Sequence, residues 1–236
     1  MKSFSPFVRG LSVFFVALVA LAVFAPSSQA AYIVPSAGPL VAGGASVAPP
    51  LTSAAAGTLQ ASLLAPFSFT TTAGTTSGSI LSAVFLNPTG TLDFYYQVFN
   101  SANSVTALAH ESDTSFLGFP VQVAFRVDGG SLAGGFVNGG SVPVTSKLDA
   151  SATTVDFSFV PVPPGAAVPP GTNSSVLVIS TLATRFVAGN AEVIDGGTAT
   201  VAAFQPAAGV PEPASFALIG GGLLALAGIR RMRRSA

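Results

Sequence analysis

The sequence has no cysteine and no tryptophan, a single histidine, and only 8% charged residues. Without cysteine the chain has no disulfide, no thiolate nucleophile and no zinc site with cysteine ligands. One histidine also excludes a catalytic zinc site that takes several histidines from one chain. We therefore predict a folded region stabilised by its packed core alone, with no cofactor and no metal.

Positive charge is scarce in the middle of the chain. In residues 31–209, three basic residues stand against eight acidic ones, which gives a formal charge of −5. A region so poor in lysine and arginine cannot neutralise a phosphate backbone. Nucleic-acid binding is therefore not expected.

The first 30 residues have the three-part pattern of a secretory signal peptide. Lys2 and Arg9 precede an almost wholly apolar run at 11–25, and small residues stand one and three positions before a cut after Ala30. The run is short for a hydrocarbon core about 30 Å thick, which favours cleavage by signal peptidase over a retained anchor.

The C-terminal segment joins a short motif, an apolar run and a basic cluster. The run at 216–229 carries no charge. An apolar helix followed by arginines stops transfer, because arginine resists crossing to the outer side. A helix of this length spans only about 21 Å, so this predicted transmembrane helix is a poor permanent anchor. The motif is Val210, Pro211, Glu212, Pro213, Ala214 and Ser215, and the basic cluster is Arg230, Arg231, Arg233 and Arg234.

Taken in order, Pro211-Glu212-Pro213, the apolar helix and the arginine cluster resemble the PEP-CTERM sorting domain. The resemblance implies recognition by exosortase, a membrane protease with a Cys-His-Arg active site, and cleavage near the motif. It also implies a Gram-negative host that makes extracellular polysaccharide. The alternative is an ordinary tail anchor. The precursor would lie transiently in the inner membrane with residues 31 to about 210 outside, before reaching the cell surface or the medium.

Between residues 58 and 205 the apolar pattern has a period of two. In 91–99, 121–128 and 153–160, apolar residues alternate with polar ones, which predicts strands with one buried and one wetted face. Residues 79–86 and 175–186 are more uniformly apolar and suit buried strands. Roughly ten short strands and no long amphipathic helix predict an all-β fold, an antiparallel β-sandwich, with a jelly-roll order left open.

Three further segments lack this alternation. Residues 31–57 are rich in alanine, glycine and proline, and are interpreted as a poorly ordered, low-complexity lead-in. Residues 206–236 form a linker and the sorting signal. The five prolines within 161–172 exclude a central strand and predict a stiff surface loop. Tight turns are predicted at Asn87–Gly90 and at the Gly-Gly pairs after Asp128, Asn138 and Asp195.

Candidate chemistry is limited to scattered polar residues, and no catalytic residue or metal ligand is assigned. His110, which precedes Glu111, Ser112 and Asp113, is predicted in a polar loop, and no Gly-x-Ser-x-Gly elbow supports a serine hydrolase. The carboxylates before Gly-Gly pairs are assigned to turns, although calcium stays open. Tyr95 is the aromatic side chain expected on an exposed strand face.

These observations predict an exported, non-catalytic surface or extracellular-matrix protein associated with exopolysaccharide and biofilm. A secreted carbohydrate-binding module is the first alternative and would need an aromatic-lined concave face. A secreted hydrolase is the second and would need clustered carboxylates or a partnered His110. The expected partners are signal peptidase, exosortase, the inner membrane and, outside the cell, exopolysaccharide.

Overall fold

The computed structural model describes residues 38–160 and 167–207, which contain ten β-strands, one 3-10 turn and no α-helix. The prediction of an all-β fold is confirmed for this part of the chain. The strands are β1 (Thr58–Thr71), β2 (Gly74–Leu86), β3 (Leu92–Asn100), β4 (His110–Asp113), β5 (Gln122–Arg126), β6 (Thr145–Leu148), β7 (Val155–Ser158), β8 (Val176–Ser180), β9 (Phe186–Ile194) and β10 (Thr198–Pro206), with the 3-10 turn at Gly129–Ser131.

The strands form two five-stranded antiparallel sheets. Sheet B has the order β1-β2-β3-β8-β5, and sheet A has the order β10-β9-β4-β7-β6. Hairpins join β1 to β2, β2 to β3 and β9 to β10. Between β3 and β9 the chain crosses repeatedly from one sheet to the other, so neighbours within a sheet are distant in sequence. Strands β3, β5 and β7 coincide with the three alternating segments, but the strand order was not readable from them.

The main core lies between the two sheets. It is built from the inward side chains of both, including Phe94, Tyr96 and Leu177 of sheet B, and Phe157 and Val193 of sheet A. These side chains are at most 1% exposed. Full burial of one such side chain stabilises the fold by about 1.5–3 kcal/mol, so this shared cluster holds the sheets face to face.

Sheet B is buried on its outer face as well. Residues 129–140, here called the cover loop, lie over it, and Phe136 contacts the rings of Phe85 and Tyr95 at centroid distances of 6.4 and 6.3 Å. The prediction that Tyr95 faces solvent is therefore wrong, since it is 2% exposed. The alternation in β3 was correct, but both of its faces are covered.

Gln97 attaches the cover loop to sheet B. Its Nε2 donates to the carbonyl oxygens of Val137 (3.0 Å) and Ser174 (2.8 Å), and its Oε1 accepts from the Val137 N–H (3.0 Å). A buried polar side chain is tolerated where its groups are paired in this way. The polar residue that alternation assigned to solvent is instead a buried anchor.

Two predicted turns are confirmed. Asn87 accepts the N–H of Gly90 (2.9 Å) and donates its own N–H to Thr91 (2.8 Å), which closes the β2–β3 hairpin. Gly90 has φ of +85°, a conformation that glycine adopts without strain. The β9–β10 hairpin turns at Asp195, whose N–H donates to Gly197, and Gly196 has φ of +64°.

The lead-in differs from its prediction over residues 38–57. Val47 exchanges backbone hydrogen bonds with Ser146 of β6 (2.8 and 2.7 Å). Further along, Phe125 of β5 donates to Pro50 (3.0 Å) and accepts from Thr52 (2.8 Å). The segment therefore covers the edge strands of both sheets on one side. Low-complexity composition did not indicate this, because the bonds are made by backbone rather than by distinctive side chains.

Several predicted segments lie outside the described residues. They are the signal peptide with its cut after Ala30, residues 31–37, much of the proline-rich loop at 161–166, and residues 208–236. The described end of the proline-rich segment pairs with the chain just before β4, since Val168 exchanges backbone hydrogen bonds with Leu108. Val168 is fully buried, so this part of the segment contributes to the core rather than to the surface.

Candidate functional site

The residues around the lone histidine form β4, in the middle of sheet A. His110–Asp113 pairs with β7 on one side and β9 on the other. The prediction of a polar loop here is wrong: four polar residues occupy a central strand. Because side chains alternate along a strand, His110 and Ser112 share the outer face, and Glu111 and Asp113 share the inner face.

On the outer face, Asp156 of β7 brings His110 and Ser112 together. Ser112 Oγ donates to Asp156 Oδ1 at 2.9 Å, and His110 Nδ1 lies 3.3 and 3.4 Å from the two carboxylate oxygens. The His110 side chain is 36% exposed and that of Asp156 17%. Residues of the kinds used in a catalytic triad are thus adjacent, with Ser112 buried at 5% exposure.

The connectivity differs from that of a nucleophilic triad. In a triad the serine hydroxyl is bonded to the imidazole, which takes its proton, and the acid orients the imidazole from the other nitrogen. Here the Ser112 hydroxyl is bonded to Asp156 instead of His110. The arrangement holds the serine as a hydrogen-bond donor to the carboxylate and does not activate it.

These residues belong to a line of polar side chains that crosses the whole of sheet A. Cross-strand neighbours share a face, and successive registers pair Thr200 with Glu192, Glu192 with Ser112, Ser112 with Asp156, and Asp156 with Lys147. We call these five residues the polar row. Lys147 and Thr200 are exposed at its two ends. The row offers hydrogen-bond donors and acceptors on the outer face of sheet A, most exposed at its two ends.

On the inner face, Glu111 and Asp113 place two carboxyl groups in the core. They are 0% and 1% exposed, and no described donor reaches any of their four oxygens. Burial raises the pKa of Glu111 to about 8, although its contact with Asp113 lowers it and Asp156 raises it. Burial and the Glu111 charge hold the pKa of Asp113 well above its usual value. Burial therefore favours the protonated form of both carboxyl groups.

Tyr96 faces this pair from sheet B. Its hydroxyl donates to the carbonyl oxygen of Phe204 at 2.7 Å. Burial raises its pKa, and the charges of Asp113 and Glu111 add to the shift. A substrate cannot reach carboxyl groups that are enclosed between two sheets, so the pair cannot act as a glycosidase dyad in this arrangement.

Of the carboxylates considered for calcium, Asp128 is engaged otherwise, since it accepts two hydrogen bonds from the guanidinium of Arg126, at 2.9 and 2.8 Å. A further acid, Asp149, accepts from the N–H groups of Thr153 and Thr154 in a turn. In residues 38–160 and 167–207, no three histidine or acidic side chains gather where they could hold a metal ion.

One apolar cleft opens beside the cover loop. It has a volume of about 430 Å³ and lies on the outer face of sheet B. It contains no titratable side chain, so it offers space for an apolar group but no catalytic function. Its lining is Leu64, Ser79, Leu81, Phe99, Gly134, Gly135 and Val137.

The sequence did not identify Asp156, Lys147, Glu192 or Thr200 as members of a common surface. Asp156 occupies a polar position in the alternating segment 153–160, which is a signal for solvent exposure only, and the other three lie outside the alternating segments. Their alignment depends on the order and register of five strands, and neither is encoded locally.

Every residue of the predicted sorting signal lies outside the described part of the chain. These are Val210, Pro211, Glu212, Pro213, Ala214, Ser215, Arg230, Arg231, Arg233 and Arg234. Within the described ranges, no helix has the length and apolar character needed to cross a membrane.

Comparison with known families places a sorting motif at the C-terminus. The family model described as the PEP-CTERM protein-sorting motif matches residues 209–234. The resemblance drawn from the sequence is thereby confirmed, and the motif marks the chain as an exported protein addressed to exosortase. No curated protein and no solved structure matches the chain.

Proposed function

We propose that this chain is a non-catalytic protein of the cell surface or extracellular matrix, associated with exopolysaccharide. The sorting motif at 209–234 carries the proposal, because it directs the β-rich region to the outside of the cell. The chain passes through the inner membrane as a precursor, is cleaved by exosortase near Pro211–Pro213, and then reaches the surface or the medium.

The arrangement of the titratable groups supports a non-catalytic role. Glu111 and Asp113 are clustered but enclosed, and His110 is partnered but does not contact a nucleophile. Each of the two features that could indicate a secreted hydrolase, clustered carboxylates and a partnered His110, is thus present in an unproductive form. A hydrolase is accordingly the weakest of the three candidates.

The polar row is the surface that we assign to polysaccharide contact. Sugar hydroxyls need paired donors and acceptors, and the row supplies both along one face of sheet A. A carbohydrate-binding module with an aromatic platform is less well supported, because Tyr95 and Tyr96 are both buried. Because hydrogen bonds alone would recognise the polysaccharide, we expect each protein molecule to bind weakly. Stable association would then require many molecules bound to the same polysaccharide chain.

Two measurements test this function. Intact mass of the exported product should show the loss of residues 1–30 and of Arg230–Arg234, and a product that keeps the arginines would refute sorting. Co-sedimentation with the host's exopolysaccharide should retain the wild-type protein. The double variant Lys147→Ala, Glu192→Ala should lose retention, while Arg185→Ala, an exposed cation outside the row, should not. Equal retention of all three would refute the assigned surface.

A further inference from the structure

The two sides of the fold are closed in different ways. On one side, the edge strands β5 and β6 are covered by the lead-in through the bonds of Val47, Pro50 and Thr52. On the other side, β1 is the outer strand of sheet B and pairs only with β2. Among the described residues, no other backbone group bonds to β1. We call this the open side.

The direction of the β1 backbone groups follows from the contacts of β2. Ser77 lies opposite Ser68, but its N–H donates to Ser104 Oγ (2.9 Å) and its carbonyl accepts from Ser101 (2.9 Å). The backbone N–H and C=O groups of Ser77 thus point away from β1. In an antiparallel pair, those of its partner Ser68 then point away from β2. The N–H and C=O groups of Ser68 therefore point outward, as do those of residues at even positions from 62 to 70.

The open side carries no charge along its strands. Neither β1, β2 nor β10 contains an acidic or basic residue. Strand edges in native proteins are usually protected by charged residues, prolines or bulges, because unpaired edges join other strands. β1 has an irregularity between Leu59 and Ala61 and a proline at 66. Pro66 removes one outward donor but leaves those of Ser62 and Leu64 before it and of Ser68 and Thr70 after it.

Leu64 adds an apolar surface to this edge. Its side chain is 60% exposed on the outer face of sheet B and forms one wall of the apolar cleft. A strand added beside β1 would cover Leu64 and extend the buried outer face of the sheet. The strand edge and the exposed leucine are independent features that coincide at one place.

We propose that the open side is an interface between two copies of this chain, which pair antiparallel through their β1 strands to form one continuous sheet. Such pairing supplies partners for the outward backbone groups and covers Leu64 in both copies. A two-fold axis brings the same strand against itself, so the surface is self-complementary. The inference is independent of polysaccharide binding, which is assigned to the outer face of sheet A.

A second copy is the favoured occupant because of where the charges lie. Residues 31–209 have a formal charge of −5, so two copies repel each other through most of their surfaces. Among described residues, the charges lie outside the strands of the open side, so the copies can approach there without like-charge contacts. Asp195 stands in the turn after β9, near the Thr71 end of β1, where Gly196 approaches Thr71.

The absence of cysteine provides a direct experiment. Cysteines are introduced at Ser62, Leu64, Ser68 and Thr70 of the full chain, singly and in every pair, because a residue opposes its own copy only at the two-fold axis. Each variant is exported by its host and analysed on non-reducing gels. Opposed residues in an antiparallel pair are about 4.5–5.5 Å apart at Cα, within disulfide range. Ser53→Cys is the matched control, because this exposed serine lies on the side that the lead-in covers.

A reducible dimer is expected at one or more β1 positions and not with Ser53→Cys. Adding Leu64→Lys to a cross-linking variant should lower the dimer yield about tenfold, since like charges opposed across paired strands repel. Native mass spectrometry of the wild-type exported protein should also show a dimer. A monomer alone in that spectrum, no cross-link from β1, or equal cross-linking from Ser53→Cys would overturn the proposal.

Discussion

Glu111 and Asp113 lie side by side on the inner face of β4, with both carboxyl groups buried between the sheets. No described donor reaches their oxygens, so the hydrogen bond open to them is from one protonated carboxyl to the other. Two like charges on neighbouring side chains in an apolar core would destabilise the fold. The pair is therefore a source of pH-dependent stability in the centre of the fold.

The first prediction concerns this pH dependence. An acid with a raised folded-state pKa stabilises the fold fully below its unfolded pKa, and this contribution is lost as pH rises through the folded pKa. For Glu111 that window runs from 4.5 to about 8. The melting temperature of the wild type should therefore fall between about pH 5 and about pH 9. Glu111→Gln should flatten this fall, because at the upper end its free energy of unfolding should exceed that of the wild type by an amount on the order of a few kcal/mol.

Its control is Glu192→Gln, the same substitution on the outer face of sheet A. Burial also raises the pKa of Asp93 to about 6, although hydrogen bonds from Ser180 and Asn87 lower it. Both variants should therefore keep a smaller fall in melting temperature at lower pH, which comes from Asp93. An unchanged slope in Glu111→Gln would mean that the pair does not titrate in this window.

The second prediction tests the anchor of the cover loop. Gln97→Ala removes three hydrogen bonds to Val137 and Ser174 and leaves buried backbone groups without partners. We expect a loss of about 2–4 kcal/mol in the free energy of unfolding, measured in urea. Gln60→Ala, an exposed glutamine on β1, is the matched control and should stay within about 0.5 kcal/mol. Equal losses would show that the cover loop is held by its apolar contacts alone.

How much was predictable depends on whether a feature is local. The alternation of Leu92, Phe94, Tyr96 and Val98 identified β3 and its inward face. The covering of its other face depends on the cover loop, some forty residues further along the chain, and no local pattern reports that contact. Alternation also failed at His110–Asp113, because all four residues are polar and their burial is decided by neighbouring strands.

The sorting motif is the opposite case. A processing enzyme reads a linear motif, so residue order alone was sufficient to recognise it. The polar row and the open side depend on strand order and register instead. Between β3 and β9 these are set by contacts between residues far apart in sequence, which a single chain read in order does not reveal.

The third prediction compares the two adjacent glycines at the end of the cover loop. Gly139 and Gly140 have φ of +77° and +94°. A Cβ at 139 would meet nothing within 4 Å, whereas one at 140 would lie 2.3 Å from the carbonyl of Ser174. Gly139→Ala should lower the free energy of unfolding by about 1 kcal/mol, because of backbone strain. Gly140→Ala should lower it by more than about 3 kcal/mol, because a clash with Ser174 is added. Urea unfolding of both variants measures the difference, and similar costs would contradict the close approach.

The last prediction separates sorting from folding. The motif follows β10, which ends at Pro206. Because it lies beyond the last strand, changing Pro211 and Pro213 to alanine should alter the free energy of unfolding by no more than about 0.5 kcal/mol. Sorting should nevertheless fail, because exosortase reads the motif, and the precursor should accumulate in the inner membrane with its arginines inside. His110→Ala, which alters only an outer contact with Asp156, should be exported normally. Cell fractionation with intact-mass analysis follows both variants. Full processing of the double-alanine variant would mean that the prolines are not what the enzyme recognises.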